Sequence, residues 1–317
     1  MNPKPLKFTF RSHHRDYLSP VLTGLTALAT MIILAMLAVV LTNIIWHGWE
    51  AFSWRFLTSD SDQDMFDTQR AGVLPMIVGT SARVMLMTVF VIPIGVITAL
   101  YLTEYAPQDS WLTIVTRSAI TNLAGVPSIV FGLFGLGFFV NFVGGQLDAL
   151  WSGPDAEPYW RHPALIWASL TLAIMTLPVV IVATEEALLG IAPGLREASL
   201  ALGASRLQTI RHVVLPQALP GIITGGILAI SRAAGEVAPI LFTGAAYYTA
   251  GYPNELTDQF MDLGYHIFIL ATQSPDIDAT RPILYATILT LLCLTFSLNL
   301  AAVLVRARLR SKRRMFH

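Results

Sequence analysis

Three ionisable residues lie where ionisable residues are rare. Arg83 interrupts an apolar run over about 74–103, and Arg232 and Glu236 lie in another over about 218–246. A charge held in hydrocarbon is costly, so each of these side chains should face a protein interior, and each is a functional candidate by default. Arginine offers a planar fork of donors that matches an oxyanion. Arg232 and Glu236 are four residues apart, which puts them on one face of a continuous helix. One reading makes them a buried structural ion pair. In the other, Arg232 and Arg83 line a path and contact an anion, while Glu236 keeps Arg232 from trapping it. Arg83 alternatively snorkels or pairs with a neighbouring helix. Ser128 joins the candidates because Pro127 before it could break its apolar run and free backbone donors. The histidines show no metal-ligating pattern: His13 and His14 are terminal, and His47, His162, His212 and His266 are isolated. With Cys293 the only cysteine, a disulfide scaffold and a Cys-based metal cluster are excluded. Neither catalysis nor metal binding is expected of this chain.

The elements that must hold these residues are apolar helices. Of the 317 residues, 54% are hydrophobic and only 13% charged, about half the charge of an ordinary soluble domain. A helix needs about 20 apolar residues to cross a bilayer. Six runs meet that length: about 19–45, 74–103, one within 118–147, one within 163–184, about 218–246, and 282–305. They lack the alternation of a membrane barrel, so the fold class is all-α and polytopic. Residues 17–46 carry no charge and far exceed a signal peptide's apolar core of about 7–15 residues. They are expected to remain as the first span.

Orientation follows from the distribution of positive charge. With both termini in the cytoplasm, 14 of the 20 Lys and Arg fall inside, and only Arg55, Arg70, Arg161 and Arg281 fall in outer loops. The layout is then a basic cytoplasmic N-terminus (1–18), a first span and external loop (19–73), a five-helix core (74–306) with a cytoplasmic loop at 186–217, and a basic tail (307–317). The outer loops hold 13 of the 20 acids, Asp262 among them. Such a face repels a free anion, so anionic cargo should arrive enclosed in a carrier. These acids serve either loop solubility or the docking of a basic partner. In the outer loop 247–281, Leu256, Phe260, Leu263 and Ile267 recur at helical spacing and predict a short helix along the surface. Gly125, Gly132, Gly135 and Gly137, with Gly221, Gly225 and Gly226, predict close helix contacts.

The cytoplasmic loop has the longest pattern: Glu197-Ala198-Ser199, three residues, Gly203, nine residues, then Val213-Val214-Leu215-Pro216. Pro193 and Gly194 break the preceding span, and Gly203 permits a sharp turn. Two short helices, Leu195–Leu202 and Ser205–Val214, should form a rigid knob, with Glu197 and Arg196, Arg206 or Arg211 as its polar anchors. This pattern resembles the EAA loop of type I ABC importer permeases; Ser199 and Val213 are small departures from it. The resemblance implies that Arg196, Glu197, Ala198, Gly203, Arg206, Leu215 and Pro216 engage a separate ATPase. A P-loop needs a lysine after glycine, and Lys4, Lys7 and Lys312 all lack one. ATP and magnesium are therefore expected on that partner, with no cofactor in this chain.

The likeness narrows further. Residues 195–204, 214–222 and 231–244, the run Gly125-Val-Pro-Ser-Ile-Val-Phe-Gly-Leu-Phe-Gly and Leu102-Thr-Glu-Tyr-Ala are similar to the PstA family of phosphate-importer permeases. Gly235-Glu-Val-Ala-Pro-Ile-Leu-Phe differs from the usual family stretch by Val237 in place of threonine. The resemblance implies a bacterial inner-membrane subunit that forms half of a translocation path. It also implies a PstC-like second permease, a dimeric PstB-like ATPase and an external PstS-like phosphate-binding protein, with lipid around it and no nucleic acid. A permease for sulfate or molybdate, or the sister PstC-type role, is the nearest alternative. A secondary transporter would not need the loop, and a membrane enzyme would need catalytic groups that are missing here.

Overall fold

A computed structural model describes residues 18–60, 66, 71–151 and 157–314. The N-terminal basic segment up to residue 17, Asp62, Asp64, Asp67, Arg70 and Asp155 lie outside the described residues. The chain divides into two units between Trp46 and His47. The first contributes most of α1, Leu18–Gly48, an unbroken helix whose apolar side chains from Val21 to Val40 are exposed. That is the character of a helix solvated by lipid or a neighbouring subunit.

The second unit begins with the short α2 (Trp54–Thr58) and the long α3 (Leu74–Leu100), which ends in a π-turn at Tyr101–Tyr105. Next come α4 (Trp111–Leu123), α5 (Ser128–Phe134), a π-helical stretch Gly135–Gly144, and α6 (Gly145–Trp151). Then follow α7 (Leu165–Leu189), α8 (Pro193–Ala201), α9 (Arg206–Thr209), a second π-turn Ile210–Val214, and α10 (Leu215–Gly235). The last two are α11 (Leu263–Gln273) and α12 (Ile277–Arg314). Among the described residues, six segments are long and apolar enough to cross a membrane: Pro20–Gly48, Leu74–Tyr105, Ser128–Trp151, Leu165–Leu189, Arg206–Gly235 and Ile277–Arg308.

The core forms around α7. Trp167, Leu172, Met175, Val180, Ile181 and Leu188 are all buried along it, and α3 and α10 pack on its flanks. Small residues allow that closeness: a Cβ at Gly95 would meet Val180, and Cβ atoms at Gly221 and Gly225 would meet Ala187 and Ala183. Gly132 and Gly135 likewise face Ala238 and Thr171, whereas Gly137 faces open space.

Two spans and one loop helix have other limits than the sequence suggests. The third span starts at Ser128, because Gly125, Val126 and Pro127 separate it from the independent helix α4. Pro127 therefore begins that span and does not break it. Its following stretch widens to π geometry where glycines leave room. The fifth span stops at Gly235. Glu236 is extended (φ −83°, ψ 130°), and residues 238–244 form turns, consistent with Pro239, which lacks the N–H a helix requires. The helix expected on the surface of the 247–281 loop is instead α11, with Leu263, Ile269 and Leu270 buried. Phe260 lies before it, also buried, in a bridge to Ala245. Helical spacing of apolar residues predicts a helix here but does not say what covers its apolar face.

The loop between α10 and α11 also caps α7. The N–H groups of Ala164, Leu165 and Ile166 donate to the carbonyls of Thr243, Asp258 and Leu256 at 2.8–3.0 Å, which satisfies donors that a helix start leaves unpaired. The tightest backbone approach is at Gly79 of α3, where a Cβ would lie 2.1 Å from the Met261 carbonyl oxygen. Gly79→Ala should therefore destabilise the fold by roughly 1–3 kcal/mol, while Gly24→Ala, with open space around it, should not. Thermal melting of the detergent-solubilised protein checks this.

Candidate functional site

Two polar centres lie at the two ends of α3. The first is Arg83, which is fully buried. Its guanidinium forms an ion pair with Asp262 (2.9 Å, both side chains 0% exposed). It also donates to the carbonyls of Ala233 (2.9 Å), Glu236 (3.4 Å) and Ala234 (3.5 Å). Those carbonyls form the C-terminal end of α10, where unpaired acceptors and the helix dipole favour a cation. Asp262 in turn is the N-cap of α11 and accepts from the N–H groups of Gly264 (2.9 Å) and Tyr265 (3.2 Å). Thr80, one turn before Arg83, donates to Asp262 (3.0 Å) and accepts from the Leu263 N–H (3.0 Å). One arginine thus joins α3, the end of α10 and the start of α11. Its charge is committed to this joint, and in this structure it lines no open path.

Arg232 is different. It sits in the last turn of α10 with 43% of its side chain exposed, and its Nε is 3.5 Å from Glu236 Oε1. The contact spans the helix end, since Glu236 has already left the helix. Beside it, Ser231 donates to Asn299 of α12 (2.6 Å). Ser128 is half-buried at the start of α5.

The second centre is the segment between α7 and α10. Ala198 lies exposed on α8, and Gly203 turns with φ +87°. Ser205 opens α9 with a capping box closed by Gln208. The hydroxyls of Ser199 and Thr209 meet at 2.9 Å and tie α8 to α9. Leu215 opens α10, with Pro216 in its first turn. Leu195, Leu200, Leu202 and Leu207 are exposed around the knob, Leu202 by 89%. The polar anchors expected alongside Glu197 do not all point outward. Arg196 reaches Glu104 instead (2.9 Å), and Arg206 lies over the Tyr105 ring (5.2 Å). Glu197 is left on the exposed face of α8. The reason is geometric: helix neighbours one position apart point in different directions, and the π-turn after α3 already offers a carboxylate.

Sequence reasoning missed two residues, Asp262 and Glu104. Asp262 was expected in a solvated acidic loop, although an aspartate just before an apolar run is an N-cap signal. Other acids expected in outer loops also serve nearby backbone. Asp148 accepts from Tyr159, Trp160 and Arg161 N–H groups (2.8–3.1 Å), and Asp258 from Asn254 and Glu255 (2.8–2.9 Å).

A six-span helical membrane protein with a two-helix knob between its fourth and fifth spans has the architecture of an ABC importer's transmembrane permease subunit. The chain belongs to the family of binding-protein-dependent transport system inner membrane components, whose model matches residues 91–311. Membership implies association with an ATPase and a substrate-binding protein, and makes the chain a transport component and not an enzyme. It is 34% identical over 73% of its length to the probable ABC transporter permease protein YqgI of Bacillus subtilis, covering 71% of that protein. It is 30% identical to the phosphate transport system permease protein PstA 1 of Mycobacterium tuberculosis over 98% of this chain and 95% of that one. The fold matches a chain of a bacterial alginate ABC transporter crystallised with its periplasmic protein, with a TM-score of 0.61 at 17% identity over 91% of this chain and 96% of that one.

Two measurements probe the buried joint. Asp262→Asn keeps an N-cap but leaves Arg83 uncompensated, and should cost about 3–5 kcal/mol. Adding Arg83→Met should recover part of that loss in the same unfolding assay. His266, in the first turns of α11, is buried, and burial lowers its pKa from 6.5 to about 4. The unfolded chain takes up this proton first as pH falls. Stability from this residue is therefore intact above about 6.5 and is lost towards pH 4, by up to about 3 kcal/mol. His266→Leu should flatten that part of the stability–pH profile.

Proposed function

We propose that this chain is a permease subunit of an ATP-driven phosphate importer in the bacterial inner membrane. It forms half of the translocation path beside a PstC-like permease. A dimeric PstB-like ATPase holds ATP and magnesium, and a PstS-like binding protein delivers phosphate. The observation that carries the reading is Arg232. It is a partly exposed guanidinium near the end of α10, held loosely by Glu236 at 3.5 Å, while Arg83 is sealed against Asp262. An exposed arginine with one adjacent carboxylate can contact a passing oxyanion without holding it tightly. Ser128 is a further candidate for the path. The near-complete alignment with a phosphate permease supports the cargo.

The knob of α8 and α9 is the docking surface for the ATPase in this reading. Its four exposed leucines form an apolar patch of the kind that marks an interaction site, with Arg211 and Glu197 beside them for polar contacts. Both termini then lie in the cytoplasm with the knob, as the charge distribution requires.

The test is ATP-dependent uptake of labelled phosphate against sulfate in vesicles holding the complete complex and its binding protein. Phosphate should be preferred. Arg232→Gln should lower uptake at least about tenfold, equivalent to about 1.4 kcal/mol of transport barrier, while the ATPase still co-purifies. Preference for sulfate, or normal uptake by Arg232→Gln, would overturn the assignment.

A further inference from the structure

The π-turn Tyr101–Tyr105 collects more cationic contacts than a helix end needs. Arg196 of α8 donates through Nε (3.1 Å) and a terminal nitrogen (2.9 Å) to one carboxylate oxygen of Glu104. Arg206 of α9 donates to the Glu104 carbonyl and covers the Tyr105 ring. Arg117 of α4 donates to the Leu102 carbonyl (3.1 Å) and pairs with Glu185 of α7 (3.2 Å). Arg196 also holds the carbonyls of Leu188 and Ile191, both at 2.8 Å, at the end of α7. A π-turn leaves backbone acceptors at the negative end of a long helix, and cations are favoured there. Here, however, two of those cations belong to the knob that meets the ATPase. Glu104 and Arg196 keep only 10% and 21% of their side chains exposed, so solvent screens the pair less than it would a surface pair.

We propose that Glu104 is the positioning residue through which the knob moves α3. The knob has two attachments. One is covalent, through α7 and α10. The other is this noncovalent clasp, which ties both α8 and α9 to the end of a span that is distant in sequence. When the ATPase displaces the knob, Arg196 and Arg206 pull on the π-turn, and α3 transmits the displacement along its length to the Arg83 joint. The π geometry suits this task, because its looser hydrogen bonding can take up a shift of the turn without unravelling α3. Without the clasp the knob could rock while α3 stayed in place. This inference rests on the chain being an ATP-driven permease, and it assigns to Glu104 a part that is separate from binding the ATPase or the cargo.

The experiment measures ATP hydrolysed per phosphate transported in vesicles containing the complete complex, together with co-purification of the ATPase. Glu104→Ala should raise that ratio at least about fivefold, the lower end of ordinary coupling between sites, with the ATPase still bound in normal amount. Arg196→Ala should raise the ratio as well, and the double variant should raise it no more than the more affected single variant, because both remove one link. Glu104→Asp, which keeps the charge, should regain part of the coupling. An unchanged ratio in Glu104→Ala, additive effects in the double variant, or loss of the ATPase from the complex would overturn the proposal. The unsubstituted complex separates the two readings: if it fails to couple uptake to hydrolysis, the transport reading is wrong, whereas normal coupling there and in Glu104→Ala removes the clasp alone.

Discussion

The structure hinges on one buried charge. Arg83 cannot be left unpaired inside an apolar bundle, because an uncompensated ion there costs several kcal/mol. The surrounding chain is arranged to receive it: α10 ends where its carbonyls meet the guanidinium, and α11 begins at the carboxylate that neutralises it. The irregular 236–262 segment then has both of its ends fixed. From there it can supply carbonyls to the start of α7. Replacing Arg83 by an apolar side chain would spare the desolvation cost but remove the reason for these elements to meet at one point.

The same helix carries the second polar centre at its other end. Glu104 follows α3 directly, and Arg196 and Arg206 reach it from the knob. Between the two centres, α3 lies against α7 through Gly95 and Val180 and buries Val84, Met87 and Val91. Its polar ends are fixed and its middle is apolar. Arg232, by contrast, lies on α10 with a single weak partner. Arg83 and Arg232 therefore do different physical work, one fastening helices and the other remaining available.

Much of this was legible in the sequence. Uncharged runs of sufficient length gave the six spans, because hydropathy reports directly on transfer to hydrocarbon. The knob was legible because Pro193, Gly203 and Ser205 each act on their own local backbone. Contacts between distant residues were not. Nothing near Asp262 states that it will meet Arg83, and composition alone placed it among solvated acids. Arg196 has acids closer in sequence than Glu104, yet its direction from α8 excludes Glu197. The end of α10 was misplaced for a related reason: residues 237–246 are apolar enough to extend the span, but proline and the demand of Arg83 for free carbonyls stop the helix at Gly235.

The fastening around Arg83 also restricts how the subunit can change shape. With α3, the end of α10 and the start of α11 joined by one guanidinium and one carboxylate, that corner has few degrees of freedom of its own. Bending must be taken up elsewhere, and the glycine-rich π-helical stretch Gly135–Gly144 is the obvious joint, since its loosened backbone tolerates a change of pitch that a regular helix resists. A bundle rigid at one corner and compliant at its π-helical stretches can rock as a lever and need not deform throughout.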